Sequence, residues 1–154
     1  MNDHGSTQFK PNTTVAAIVH CRGKFLIVEE IDAGKTVFNQ PAGHLEQNES
    51  LTTAIERELK EETGLAIKPQ YCSGVYYFYR AEINLYFLRF CFVVELENWL
   101  IPHPEDDEII ACHWLTFEQI VAKRNQLRSP MVVSCIEDYL AGNNIALDML
   151  KTNL

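Results

Sequence analysis

The stretch from Ser50 to Gly64 constrains the fold most, because it predicts a helix whose inward face changes from apolar to acidic. Ser50 is a favoured N-cap residue, and Gly64 is a favoured residue just beyond a helix end. At about 100° per residue, one face gathers Leu51, Ala54, Glu58, Glu61, Glu62 and Leu65, flanked by Ile55 and Leu59. The core-facing side of this helix therefore carries three carboxylates within one turn.

Such a cluster is unfavourable without a compensating charge. Like charges four residues apart on a helix repel by roughly 0.2–0.5 kcal/mol, and by more when they are partly buried. The same geometry places Thr53, Glu56, Arg57 and Lys60 on the opposite side, so the basic residues are expected to point outward. A hard divalent cation, which takes oxygen ligands, is the simplest compensation. The helix therefore predicts a metal site.

The spacing around this helix resembles the signature of the Nudix hydrolase family. Five residues separate Gly43 from Glu49, seven separate Glu49 from Arg57, and the run RELKEETGL starts at Arg57. The resemblance implies an αβα sandwich and hydrolysis of phosphoanhydride bonds with Mg²⁺, for which Mn²⁺ can substitute. A metal suits this chemistry because it neutralises the polyanionic substrate and activates water.

The resemblance also implies roles for the acidic residues. Glu58, Glu61 and Glu62 become metal ligands, together with the backbone oxygen of Gly43. Glu61 or Glu58 can serve as the general base, and the sequence does not choose between them.

A further metal ligand is implied in the PEDDE segment. Glu108 lies six residues before Trp114, where the resemblance places this acid. Asp106 and Asp107 are neighbouring alternatives, and a solvated surface loop is the other interpretation of the charge run.

Arg57 and Glu49 are expected to form an ion pair that holds the loop before the helix. In this hypothesis Arg57 positions the loop and contributes to catalysis without touching the substrate. Leu59 is expected to anchor the helix in the core.

Three residues are candidates for substrate binding. Arg89 is the only charge in the strand Leu85–Val94, so it is expected either to bind a terminal phosphate or to pair with an internal carboxylate. His44 can approach a phosphate or lie exposed in a loop. Alternating aromatics, Tyr77 with Tyr79 or Tyr76 with Phe78, can stack on a ring or pack in the core.

Three further segments resemble a bacterial phosphatase subgroup of the same family. They are FNQPAGHLE at 38–46, FLRF at 87–90 and LRSP at 127–130. The likeness implies release of orthophosphate from nucleoside di- and triphosphates, thiamine pyrophosphate and its hydroxymethylpyrimidine pyrophosphate precursor. Phe38, where such proteins often carry Trp, is expected to contact the substrate.

Three alternative functions remain open at this stage. They are an oxidised-nucleotide triphosphate pyrophosphatase, a dinucleoside polyphosphate hydrolase and a non-catalytic nucleotide-sensing Nudix domain. Sensing domains of this kind commonly lose glutamates of the signature, and this chain keeps them all.

Composition restricts the partners and the compartment. The 154 residues carry a net charge of −8, which disfavours nonspecific binding to nucleic acid. No run is long and apolar enough for a membrane helix, and the five scattered cysteines are typical of reduced thiols. We expect a cytoplasmic enzyme that binds a small-molecule substrate without a membrane or nucleic-acid partner. A monomer is the simplest state, with an oligomer left open.

The order of predicted elements indicates an α+β fold in which helices cover both sides of a mixed sheet. Residues 1–12 are expected to be a flexible N-terminal tail, and residues 13–154 a single domain. The predicted strands are Thr13–Cys21, Lys24–Glu29, Val37–Gln40, Ala42–Glu46, Ala66–Tyr79, Ile83–Leu96 and Ile109–Leu115, and the predicted helices follow Ser50, Thr116 and Pro130.

Overall fold

A computed structural model describes residues 4–154, which form a seven-stranded mixed sheet and three α-helices. The strands are β1 (Asn12–Cys21), β2 (Lys24–Asp32), β3 (Lys35–Asn39), β4 (Ala42–His44), β5 (Tyr71–Arg80), β6 (Leu85–Glu95) and β7 (Ile109–Leu115). The helices are α1 (Leu51–Thr63), α2 (Phe117–Ala122) and α3 (Met131–Leu140), with short 3-10 turns at Arg124–Gln126 and Leu147–Met149. The predicted α+β fold is confirmed.

The centre of the sheet is a parallel pair, β1 and β6, in register from Asn12 opposite Phe87 to His20 opposite Glu95. Parallel strands are usually covered on both faces, which explains the almost uninterrupted apolar run of β1. Alternate residues of β1 enter two separate cores, one packed against α1 and the other against α2 and α3. The helices therefore cover both sides, as predicted.

The sheet splits between its neighbouring strands β1 and β2. These two strands pair only next to their turn, at His20–Phe25 and Cys21–Lys24. Farther along, β4 becomes the antiparallel partner of β1 and β3 becomes a partner of β2. The diverging strands β1 and β2 leave a gap between them, beside the β3–β4 connection.

The predicted boundaries of α1 are correct. The Ser50 side chain accepts a hydrogen bond from the Thr53 backbone N–H at 3.1 Å, and Gly64 ends the helix at φ 73°. A side chain at Gly64 would also lie 2.1 Å from the His103 carbonyl oxygen, so the close approach of that loop requires glycine. Leu59 is fully buried, as expected of a core anchor.

Several strand boundaries differ from the predictions. Residues 66–70 lead into β5 without regular structure, whereas a strand was expected to begin at Ala66. β2 continues to Asp32, beyond its predicted end at Glu29, because the tight turn with positive φ is formed only by Ala33 and Gly34. These residues adopt the φ values that two-residue hairpins need.

The predicted tail overlaps the fold at one point. Its first residues, 1–3, lie outside the described part of the chain, and Asn12 already belongs to β1. Phe9 packs edge-to-face against Tyr77 and Tyr86. The division into a tail and one domain otherwise stays a prediction.

Two expectations from composition can be compared with the fold. All five cysteines are free thiols, and Cys112 is the one that is not buried. Within residues 4–154, no helix is both long and apolar enough to cross a membrane.

Candidate active site

A cavity of about 500 Å³ opens where β1 and β2 diverge. One wall carries the acidic residues of α1 and the β4 backbone. The other wall carries three arginines, from β5, from β6 and from the segment before α3. The first wall includes Gly43, His44, Arg57, Glu58, Glu61 and Glu62. The second wall includes Glu30, Asp32, Phe78, Arg80, Arg89 and Arg128.

Glu62 is the most deeply placed of the helix carboxylates that were expected to bind metal. It is 6% exposed, and its Oε1 accepts a hydrogen bond of 2.9 Å from the Ala42 backbone N–H. Burial, together with the smaller effect of the nearby charges of Glu30, Glu58 and Asp106, raises the pKa of this carboxyl to about 9. The site therefore favours a proton or another cation at Glu62.

Glu58 lies directly against the Gly43 backbone. A Cβ at Gly43 would stand 2.0 Å from the Glu58 carboxyl carbon, so a glycine is required for this contact. Burial raises the pKa of Glu58, while its bond to Arg57 opposes that rise. The spacing of Gly43 and Glu58 in the sequence thus reflects a direct approach of backbone and carboxylate.

Arg57 corrects a prediction, because its side chain turns toward the carboxylates and not to the opposite side of α1. It holds Glu49 with two hydrogen bonds, of 3.0 and 2.7 Å, as expected. It also donates to the His44 carbonyl at 2.9 Å and to Glu58 Oε1 at 2.7 Å. A long side chain can cross to a neighbouring face of its helix, which the helical angle of its Cα does not show. These bonds raise the pKa of Arg57.

Glu61 lies at the edge of the inward face and is about half exposed. Its nearest cationic partner is Arg57, at 3.4 Å. Within the described chain, no three acidic, histidine or cysteine side chains converge as a ready-made metal site. Arg57 instead contacts both Glu58 and Glu61 and offsets part of their charge.

The donors nevertheless fit a hard divalent ion. They are all oxygens: the helix carboxylates and the backbone of Gly43, where no side chain blocks the approach. Burial, and to a smaller extent the neighbouring acids, raises the pKa of Glu62, so a nearby positive charge would stabilise its carboxylate form. Mg²⁺ or Mn²⁺ would supply it.

The loop after β6 brings acidic side chains to the cavity rim. The backbone N–H groups of Glu105 and Asp106 both donate to the Glu61 carbonyl at 2.9 Å, and that of His103 donates to Thr63 at 2.8 Å. Glu108 is exposed and lines the cavity, as does Asp106. The structure brings both acids to the site, so either remains a candidate ligand.

Arg89 is buried in the opposite wall. Its Nη1 donates to Gln40 Oε1 at 3.3 Å, and its guanidinium lies 5.5 Å from the Phe78 ring centre. Its Nε has no hydrogen-bond partner among residues 4–154, and none of the ion pairs in that range includes it. The expected alternative, pairing with an internal carboxylate, is therefore wrong.

His44 and Phe38 have different positions. His44 is exposed at the cavity rim. Phe38 is buried outside the cavity, where its ring contacts His113 and lies beneath the Lys123 ammonium at 4.7 Å. The structure thus corrects the expectation that Phe38 contacts the substrate, because a strand residue that faces the core cannot reach the cavity.

The aromatic residues of β5 also separate by face. Phe78 lines the cavity and stacks on Phe87 at 5.3 Å. Tyr77 and Tyr79 are exposed outside it, whereas Tyr76 bonds Asp138 at 2.5 Å. Of the candidate stacking residues, only Phe78 reaches the cavity.

Sequence reasoning missed five charged residues of the cavity: Glu30, Asp32, Glu46, Arg80 and Arg128. Glu30 and Asp32 continue the row of β2 side chains that starts in the core with Leu26 and Val28. An acid in that alternating row was a usable signal. Arg128 lies in the LRSP segment, which was noted without a role for its arginine.

Comparisons with known proteins identify the family of the chain. The sequence matches the NUDIX domain family over residues 10–134. It is 44% identical over 142 residues to "Phosphatase NudJ" of Escherichia coli K12 and of Shigella boydii, covering 92% of this chain and 92% of each relative. A Nudix hydrolase structure from Nitrosomonas europaea is similar, with a TM-score of 0.88 and 40% identity, over 94% of this chain and 98% of that one.

More distant structures show the fold alone. A MutT protein from Methanosarcina mazei has a TM-score of 0.74 at 19% identity, over 90% of this chain and all of that one. The chain belongs to the Nudix family and is a hydrolase. Within the family it is similar to the NudJ phosphatases.

Proposed function

We propose that the protein hydrolyses the terminal phosphoanhydride of nucleoside di- and triphosphates and of thiamine-type pyrophosphates, and that it releases orthophosphate. One observation carries the proposal: an acidic wall with Gly43 and Glu58 in contact faces a buried Arg89 across one cavity. The similarity to NudJ phosphatases over nearly the whole chain supports the orthophosphate product.

Magnesium would be held by Glu58, Glu61, Glu62 and the Gly43 carbonyl oxygen, with Glu108 as a further ligand. When bound, it would neutralise phosphate charge and lower the pKa of water. Phosphoryl transfer requires mainly positioning and charge stabilisation, so the protein groups around the phosphates determine the rate.

The residues of the chain have separate tasks in this proposal. Arg89, which lines the cavity, donates from its guanidinium group to the terminal phosphoryl group and fixes its orientation. Glu61 accepts the proton of the attacking water on a carboxylate oxygen, because at 3.4 Å from Arg57 it is held less firmly than Glu58 at 2.7 Å. Arg57 and Glu49 keep the β4 loop in place.

Broad tolerance of the organic group follows from the rest of the cavity. Phe78, Ile83, Leu85 and Phe87 give an apolar surface that can contact many rings without selecting one by hydrogen bonds. A thiamine-type pyrophosphate and a nucleotide would then share the same phosphate-binding end.

Phosphorus NMR of the products tests the proposal. With a nucleoside triphosphate and magnesium, orthophosphate and nucleoside diphosphate should appear first. Pyrophosphate and nucleoside monophosphate as first products would reject the proposal and favour an oxidised-nucleotide triphosphate pyrophosphatase. Symmetric cleavage of a dinucleoside polyphosphate, with no action on the substrates above, would favour the hydrolase of that class.

A further inference from the structure

We infer that Arg80 and Arg128 form a second anion subsite, which binds a substrate phosphate that is not cleaved. The inference rests on the proposed function, because it assumes that a nucleoside polyphosphate occupies the cavity. It predicts that the enzyme distinguishes triphosphates from diphosphates at this subsite.

Three distant segments meet at the subsite. Arg80 ends β5, Asp32 ends β2, and Arg128 lies between α2 and α3. Asp32 is 3.8 Å from Arg80 Nη2 through Oδ2, and 3.7 Å from Arg128 Nη2 through Oδ1. Charge-assisted hydrogen bonds are about 2.7–2.9 Å long. Asp32 therefore lies between the two guanidinium groups without forming a close hydrogen bond to either.

Each arginine is held in place by a different acid. Arg128 Nη1 donates to the buried Glu30 at 2.8 Å, and the Arg128 backbone N–H donates to the Phe38 carbonyl at 2.9 Å. Arg80 Nε donates to Glu82 at 2.9 Å. A guanidinium has five N–H donors, so these bonds fix each side chain and leave further donors for a ligand.

The position of Asp32 indicates what the subsite recognises. Its carboxylate shows that one anionic group can lie between both arginines, and the planar guanidinium fork matches phosphate oxygens. A phosphate carries more charge and more acceptor oxygens than a carboxylate, so it can bond both arginines and displace Asp32. Asp32 then acts as a built-in competitor of the substrate phosphate.

The subsite is distinct from the groups assigned to the cleaved bond. A diphosphate places its two phosphates at the acidic wall and Arg89. A triphosphate has one more phosphate, and Arg80 and Arg128 are the remaining cations that line the cavity besides Arg57 and Arg89. Contact with that additional phosphate would strengthen binding of triphosphates alone.

Two substitutions test the subsite in opposite directions. Asp32→Asn keeps the shape and removes the competing charge, so KM for a nucleoside triphosphate should fall about threefold to tenfold. Arg80→Met should lower the ratio of kcat/KM for triphosphate over diphosphate by about tenfold. Arg124→Met removes an arginine of the same segment as Arg128 outside the cavity, and should leave that ratio at the wild-type value.

Binding provides a second measurement. Calorimetry with magnesium should show that Asp32→Asn increases the affinity for a non-hydrolysable imido analogue of ATP. The affinity for ADP should change less than twofold. Equal changes for both ligands would overturn the inference and leave Asp32 as a structural bridge between the hairpins. If Arg80→Met does not fold, the Asp32→Asn measurements alone test whether the subsite binds a substrate phosphate.

The two proposals fail in different ways. Release of pyrophosphate in the NMR experiment would reject the proposed function. The calorimetric comparison would still test whether the subsite binds the additional phosphate of a triphosphate. Orthophosphate release with a wild-type preference for triphosphate over diphosphate in both Asp32→Asn and Arg80→Met would reject the subsite alone.

Discussion

The two walls of the cavity differ in how their charges are satisfied. On the α1 wall, Glu58 and Glu61 share the guanidinium of Arg57, and Glu62 accepts a backbone N–H. On the opposite wall, Arg89 has one long hydrogen bond to a neutral amide, and two further arginines stand beyond hydrogen-bond distance of their common acid. The acids have partners within the protein, whereas the arginines keep donors available.

This difference indicates how each wall takes its ligand. A cation must compete with Arg57 for the acidic wall, so binding there requires a strong charge such as a divalent metal. An anion finds donors already available on the basic wall. The first wall is therefore expected to determine whether the reaction occurs, and the second to determine which substrate is held.

The largest expected effect is on the acidic wall. Glu61→Gln keeps the shape of the side chain but removes the charge that we propose binds metal and takes the proton. Turnover with magnesium should fall by roughly 10²–10⁴-fold, measured as phosphate release from a nucleoside triphosphate. Glu56→Gln is the matched control on the same helix and should retain activity. Wild-type turnover in folded Glu61→Gln would remove Glu61 from the mechanism.

Arg57→Lys tests whether the acidic wall depends on its internal partner. The lysine keeps the charge but loses the two-pronged bond to Glu49 and the simultaneous contact with Glu58. We expect a loss of roughly 1–3 kcal/mol in the free energy of unfolding and about tenfold or more in kcat. KM should change little.

Urea unfolding and steady-state kinetics measure the two effects of Arg57→Lys separately. A variant with normal stability and only weakened substrate binding would show that Arg57 belongs functionally to the basic wall.

Arg89→Met tests the basic wall. Methionine can fill the volume beside Phe78 but cannot donate to phosphate. The apparent KM should rise about tenfold for nucleotides and thiamine pyrophosphate alike, because all share the terminal phosphoryl group. Initial rates across such a panel measure this. A rise confined to one class of substrate would mean that Arg89 recognises the organic group.

The smallest expected effect concerns the stability of the metal-free protein. The pKa of Glu62 is about 9 in the fold, compared with an ordinary value near 4.5. Between these pH values the folded protein holds a proton that the unfolded chain releases, so stability falls as pH rises through this window. Glu62→Gln keeps the acceptor for Ala42 and removes the titration.

Thermal unfolding without metal checks this effect. At pH 8, Glu62→Gln should melt roughly 3–8 °C above the wild type, and the gain should shrink toward pH 5. Magnesium should raise the melting temperature of the wild type by more than that of the variant. A variant that melts lower at pH 8 would show that Glu62 is stabilising as an anion.

The contrast between the walls also explains what the sequence could predict. The α1 wall depends on local rules: the Ser50 cap, the Gly64 stop and a 3.6-residue period place Glu58 and Glu62 correctly. The orientation of the Arg57 side chain toward the acids was not predicted. A long, flexible side chain is oriented by its ion-pair partners and not by the position of its Cα on the helix. Its partner Glu49 was nevertheless identified through the resemblance to the family signature.

The basic wall depends on long-range contacts that no local pattern records. Arg128 meets Glu30 across 98 residues of sequence, and Arg80 approaches Asp32 from another hairpin. Arg89 was recognised because a charge inside an apolar strand is unusual. Phe38 was misplaced because a sequence likeness does not show which face of β3 a residue occupies.

The backbone bonds between the end of α1 and residues 103–106 have a consequence for sequence tolerance. Main-chain groups align the rim acids with Glu61, and residues 97–102 contribute none of these bonds. Substitutions in that loop are therefore expected to leave the distance between the helix and Asp106 unchanged. Gly64 is the exception, since any larger residue there would push His103 away.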